Sequence, residues 1–356
     1  MHTRFFRAGF IACTLLFAGH AIAHGYKDTQ LPSLSGGNGS LVYGINNAGQ
    51  IVGTAIDDRA YPVATLWSGG TATPISHVGD DISWGQGIND SGQTVGIYND
   101  FYGRFSAGTA FSTTSSGLSK LSVSDTYARD INNHDVVVGA AATGEWAGPP
   151  LYPFPFYGTH AVMWDGASAV DLNPAGASFS EANAINDSGT IAGQIDGNAA
   201  TWSDGSWTVL GAGSAADINN NGLVAGTSNG NAVIWNGTTE TILGAGSAAA
   251  INVLGQVVGS SGGHAFLWSD GIATDLNNFL STSAKDAGWV LTEALGINDR
   301  GWIIANAFNS NYYAFQGFLL SPAPEPSTWA MLLAGLGFIG WKARGARRAA
   351  ATPVAA

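Results

Sequence analysis

The chain has 356 residues, 45% of them apolar and only 11% charged, against about 25% charged in ordinary soluble domains. Six of the 13 basic residues sit at the two ends (Arg4, Arg7, Lys342, Arg344, Arg347, Arg348), leaving 7 to face 25 acidic residues, a balance that excludes nucleic acid and anionic lipid as partners of the body. The single cysteine, Cys13, lies in the first apolar run, which excludes disulfides, thiol catalysis and cysteine-ligated zinc from everything downstream.

Arg4 and Arg7 form a positive n-region, residues 8–18 an apolar run, and Ala21-Ile22-Ala23 a small-residue cleavage site. The run is too short to stay in a bilayer as a spanning helix. Residues 1–23 are therefore expected to be a signal peptide read by the Sec export machinery, with Ala21 and Ala23 setting cleavage before His24.

Next comes a repeat. An Ile-Asn unit followed by a tight turn, with Gly in six of the copies, and a β-rich run occurs seven times, with its Ile at Ile45, Ile88, Ile131, Ile185, Ile218, Ile251 and Ile297. Typical copies read GINNAGQIVG, GINDSGQTVG and DINNNGLVAG. After a variable interval most copies continue into a second turn signal, as in ATLWSGG, HAVMWDG, NAVIWNG and HAFLWSDG. Asn, Asp and Gly tolerate the positive φ of tight turns, so each signal predicts a hairpin and each repeat four short strands. Seven such units at a period of 33 to 54 residues predict an all-β, seven-bladed propeller over 24–321. A parallel β-helix would need a shorter and stricter period. The seventh repeat ends one strand early, at Ser321, and residues 26–31 read as a fourth strand with no blade of its own. Their pairing would seal the ring and remove an open sheet edge. A closed ring of this size predicts a monomer.

His264-Ala265-Phe266, with the near versions His160-Ala161-Val162 and Ala110-Phe111, resembles the signature of the HAF family of extracellular repeats. The resemblance implies an exported protein and carries no common activity.

The repeat itself explains most chemistry-bearing residues. His160 and His264 begin equivalent strands and predict edge hydrogen bonds. Trp67, Trp164, Trp202, Trp235 and Trp268 recur before the second turn and predict packing between blades. Asp217-Ile-Asn219-Asn-Asn221-Gly222 has the first half of a calcium loop, but Ser228 stands where the twelfth-position acid belongs. Ser203-Asp204-Gly205-Ser206-Trp207 is one residue short of an Asp-box. There is no nucleophile elbow, no HExxH and no phosphate-binding loop, and the many glycines read as turn residues. No catalytic residue, metal ligand or cofactor is predicted.

The irregular stretches carry the expected binding role. The longer inserts, 55–63, 98–109 and 140–159 within repeats and 72–86, 173–183 and 277–295 between them, all emerge on one face of a four-stranded-blade ring. They hold the candidate ligand-binding residues Asp80, Asp81, Trp84, Arg104, Glu145, Trp146, Tyr152 and Tyr157, the last four in a proline-braced insert. Aromatic rings beside carboxylates suit stacking and hydrogen bonding to extracellular polysaccharide; the competing reading is an insert folded on itself as a cap over the channel. The expectation is a non-enzymatic binding or scaffolding propeller. The alternative is a polysaccharide hydrolase or lyase using Asp80, Asp81, Glu145 or Glu181, which would need two carboxyls at a defined separation.

The chain closes with Pro324-Glu325-Pro326, an apolar stretch over 328–341 and a basic end to 348; residues 349–356 read as disordered. Positive charge after an apolar helix places the body outside the cytoplasm. Fourteen residues give about 21 Å of helix against roughly 30 Å of hydrocarbon, better suited to a transient anchor than to a comfortable span. These three parts in order, over 322–348, resemble the PEP-CTERM sorting domain. The resemblance implies processing near Pro324, Glu325 and Pro326 by an exosortase, with Glu325 as a recognition residue. It also implies delivery to the surface or matrix of a Gram-negative bacterium that makes exopolysaccharide.

Overall fold

The computed structural model describes residues 25–75, 82–99, 108–114, 117–121, 126–142, 159–166 and 168–323. Its repeating unit starts at the Ile-Asn turn. In the first repeat Asn46 N–H donates to the Gln50 carbonyl and Gly49 N–H donates back to the Asn46 carbonyl, each at 3.0 Å. Positive φ falls on Gly49 (82°) and on its equivalents, with Asp135 (64°) replacing glycine in the third repeat. The Asn itself is not left-handed, so its recurrence needs a reason other than turn tolerance.

Each turn joins an inner strand to a second one, as Ser40–Ile45 to Ile51–Ile56. A third strand, Pro62–Ser68, and an outer one, Thr71–Pro74, complete the first blade through a turn at Gly69 and Gly70. Seven antiparallel four-stranded sheets result, and the chain is an all-β, seven-bladed propeller over Tyr26–Pro322. The helical pieces among the described residues are Leu276–Phe279 and Thr282–Asp286, capped by the Asp275 and Ser281 side chains in the insert before blade 7.

Blade 7 is built from both ends of the array. Its inner, second and third strands are Trp289–Ile297, Ile303–Asn309 and Ala314–Pro322. Its outer strand is Tyr26–Gln30, paired antiparallel from Tyr26 with Pro322 to Gln30 with Phe318. The spare N-terminal strand thus occupies the position the sequence leaves open.

The core lies between blades. Leu31, Val42, Ile51, Ala55, Trp67 and Ile304 form one such layer, joining blade 7 to blade 1. Trp67, Trp164, Trp235 and Trp268 are all buried, as the packing reading requires. Trp202 is only half-buried, yet it too packs against the layer between blades 3 and 4, and it lines a groove of about 570 Å³ with Trp207, whose Nε1 donates to the Leu172 carbonyl at 2.7 Å.

Every inner strand carries a β-bulge two residues before its Ile, at positions 43, 86, 129, 183, 216, 249 and 295. The bulge drives a carbonyl of the inner strand onto the second strand. A Cβ on Gly139 would lie 1.8 Å from the Tyr127 carbonyl oxygen, and one on Gly193 1.9 Å from that of Glu181. These glycines lie inside strands, so the reading of the glycines as turn residues fails for them: they make room for a close backbone approach. Blade 7 has a second register shift, and Ala305 takes the equivalent place.

The irregular segments are shorter than the sequence suggests, because strands run into their ends. The insert expected at 55–63 reduces to 57–61, pinned by Asp57, which accepts from the Arg59 and Tyr61 N–H groups. That expected at 173–183 reduces to 172–179.

The two mouths of the central channel

The side of the ring formed by the Ile-Asn turns is nearly identical from blade to blade. Asn46, Asn89, Asn132, Asn186, Asn219, Asn252 and Asn298 are all buried, and each Nδ2 donates to the backbone carbonyl of the next Asn in the series. Asn298 returns to Asn46 at 3.0 Å and closes the circle. Each Oδ1 accepts the N–H four residues on, as Gln50 N–H to Asn46 and Leu223 N–H to Asn219. The amide therefore needs both a donor and an acceptor end, which explains why all seven repeats keep Asn and none has Asp.

A second circle lies one residue further. Asn47, Asp90, Asn133, Asp187, Asn220, Val253 and Asp299 alternate amide with carboxylate, apart from Val253. Apart from that of Asn220, which faces Val253, their N–H groups donate to the side chain of the next blade, as Asn47 to Asp90 and Asp299 to Asn47. An odd number of blades cannot alternate without a defect, and Val253 occupies it. The two circles frame a cavity of about 180 Å³. Burial works against the Asp187 carboxylate, but the Asn133 N–H and the Asn133 and Asn220 amides outweigh it and hold its pKa below the usual range.

Deeper in the channel lie Asp130 and Asp217. Asp130 Oδ2 accepts the Ile185 N–H at 2.9 Å; Asp217 accepts the Ile218 and Ile251 N–H groups at 2.7 Å each. Burial pushes Asp130 up to about 7, with Asp217 and Asp187 adding repulsion and the Ile185 and Ile131 N–H groups opposing it. Burial likewise pushes Asp217 up to about 6. Asp217 is thus a bridge between blades, and its carboxylate is already taken by two N–H groups. Both folded pKa values lie above the unfolded value, so the folded state holds the extra protons. Stability should accordingly fall by a few kcal/mol as pH rises from about 4 to about 7, then level off. Urea midpoints measured across that range should show this slope, and Asp130→Asn with Asp217→Asn should flatten it.

The opposite mouth is where the blades differ. The bulges put Tyr43, Gln86, Arg129, Asn183, Ala216, Ala249 and Leu295 around a cup of about 490 Å³, together with Glu181, Gln194, Ser214 and Ala248. Arg129 Nη2 donates to Glu181 Oε1 at 3.0 Å, and Gln194 Nε2 donates to Glu181 Oε2 at 2.9 Å. Asn183 Nδ2 donates to the Ala215 carbonyl at 2.8 Å, while its buried Oδ1 has no partner among the described residues. Burial, reinforced by Glu293, raises the Tyr43 phenol. Four successive blades contribute long polar side chains; the next three contribute alanine, alanine and leucine.

Of the sequence candidates, Trp84 lies in the blade 2 inner strand Ile82–Ile88, half-buried and two residues before Gln86. Glu181 belongs to the cup wall. Asp80, Asp81, Arg104, Glu145, Trp146, Tyr152 and Tyr157 lie outside the described residues, as do Ala21, Ala23, Pro324, Glu325, Pro326 and the apolar stretch 328–341. His160 and His264 make equivalent cross-strand contacts through Nδ1, to Asp171 Oδ2 at 2.8 Å and Asp275 Oδ2 at 2.7 Å. Among the described residues no three or more His, Cys, Asp or Glu converge on a metal position, and no helix is long and apolar enough to cross a membrane. Sequence reasoning missed the Asn circle and the bulge residues. A signal for the first was present in the unbroken Asn of every repeat.

Residues 322–348 match the PEP-CTERM protein-sorting motif. The structure is similar to the β-propeller domain of the Trilobed protease from Pyrococcus furiosus, a propeller of open velcro topology. Identity is 10%, the match covers 81% of this chain and 95% of that one, and the TM-score is 0.52. At that identity the likeness concerns the fold alone. No curated protein matches the chain.

Proposed function

We infer from the PEP-CTERM motif, which here follows a propeller, that the protein is exported and sorted at the membrane of Gram-negative bacteria by an exosortase. We propose that this propeller is a non-enzymatic binding or scaffolding protein of the cell surface or extracellular matrix, that its repeats belong with the HAF type, and that its ligand is extracellular polysaccharide. The observation carrying this reading is the contrast between the two mouths. One is a uniform hydrogen-bonded collar; the other gathers the chemically varied side chains and the inserts between strands. Strand direction adds support, because the outer strand Tyr26–Gln30 begins, and the third strand Ala314–Pro322 ends, on the collar side. The first and last strands of the propeller thus have their outer ends on the collar side, away from the varied mouth.

A glycan array probed with the full chain in detergent, read for both binding and product formation, tests the proposal. Binding without turnover is the expected result. Trp146→Ala with Tyr152→Ala should weaken retention by about tenfold, as loss of aromatic stacking does. Turnover would move the protein to the hydrolase or lyase class, and an array with no binding would remove the glycan reading.

A further inference from the structure

Repeats enforce sameness: a position shared by seven blades presents seven like side chains unless something particular distinguishes them. The Asn collar shows what sameness looks like. The bulge position breaks it, at the place where the backbone turns a side chain toward the channel. The result is a cup with two unlike halves.

The polar half combines a guanidinium (Arg129), a carboxylate (Glu181) and the amides of Gln86, Asn183 and Gln194. Donors and acceptors stand side by side and are already oriented by the Arg129–Glu181–Gln194 hydrogen bonds. Adjacent donors and acceptors match vicinal hydroxyls, each of which gives and takes a hydrogen bond. The other half is methyl and isobutyl surface, suited to the C–H face of a ring. A volume of about 490 Å³ lies in the range of small-ligand sites and accommodates one or two rings. Charge selects among sugars. The Arg129 guanidinium is already neutralised by Glu181 at 3.0 Å, and the body carries few other basic residues. An anionic sugar would meet net repulsion.

We infer that the cup is a binding site for the terminal one or two residues of a neutral glycan, inserted end-on into the channel mouth. This rests on the glycan reading above and narrows it to one place, one end of the chain and one charge class.

The test uses the full chain in detergent and isothermal titration with neutral di- and trisaccharides of glucose, galactose and mannose, beside glucuronate-ended counterparts. Ala249→Trp fills the apolar half from a partly exposed position, leaving the polar network untouched; Gln86→Leu removes one polar group without adding bulk. At least one neutral probe should bind, with affinity falling by about tenfold or more in Ala249→Trp and by a smaller factor in Gln86→Leu, while the melting temperature stays that of the parent. Preference for the glucuronate-ended probes would overturn the charge assignment. Array binding that survives Ala249→Trp undiminished would overturn the cup while leaving the glycan function standing. An array with no binding at all would overturn both.

Discussion

Removing residues 26–34 is expected to lower stability by at least about 5 kcal/mol, comparable with the whole stability of a typical domain, and to leave an aggregation-prone chain. Several losses coincide. The third strand of blade 7, Ala314–Pro322, loses its partner along five rungs and becomes an open edge. Leu31, 3% exposed, leaves the layer between blades 7 and 1, at about 2 kcal/mol or more for its side chain. The Trp67 indole N–H loses the Pro32 carbonyl it meets at 2.7 Å, leaving a buried donor unpaired at about 1–3 kcal/mol. Ser40 Oγ and Gln316 Nε2 lose the Leu31 carbonyl. Tyr26 also leaves the ring of Phe279, 5.1 Å away. Urea denaturation followed by tryptophan fluorescence would measure the loss. A midpoint equal to that of the parent would show that three strands suffice for the last blade and that ring closure contributes little.

The second large effect concerns a single atom. Asn219→Asp should destabilise the propeller by about 3–5 kcal/mol at pH 7, although the side chains have the same shape. Asn219 Nδ2 donates to the Asn252 carbonyl at 2.8 Å, and Oδ1 accepts from the Asn221 and Leu223 N–H groups at 3.0 Å each. Aspartate keeps both acceptor contacts but turns an oxygen toward a carbonyl, in a site only 5% exposed. Burial and that repulsion raise the folded-state pKa of the new carboxyl. The penalty should therefore grow as pH rises above about 4 and shrink in acid, where the protonated group can donate. Thermal melts at pH 4 and pH 8 separate this from a general packing defect, which would cost the same at both.

These two cases show how much of the molecule is legible in its sequence. Blade number, the four-strand unit and the role of Tyr26–Gln30 were readable because each leaves a repeated or missing copy along the chain. The collar was partly readable. Tolerance of a tight turn accounts for Asn but equally for Asp; the absence of Asp at the same seven positions is the sign that a donor is required. The bulges were hidden, since a bulge is a relation between two strands and has no residue type of its own. Its trace was a glycine in the second strand, as at Gly139 and Gly193, easily taken for a turn residue. The cup was hidden with it, because Gln86, Arg129 and Asn183 occupy a place whose direction only the bulge determines.

The join between the first strand and the last also fixes an order of events. A chain synthesised from its N-terminus can pair hairpins as they emerge, whereas Tyr26–Gln30 must wait for Ala314–Pro322, nearly three hundred residues later. The sorting motif begins where that last strand ends. A product cut short anywhere before it lacks both the strand that shuts the ring and the sequence that directs the protein onward. The strand that shuts the ring and the sorting motif thus adjoin along the chain, so any chain that carries the motif in full also carries that strand.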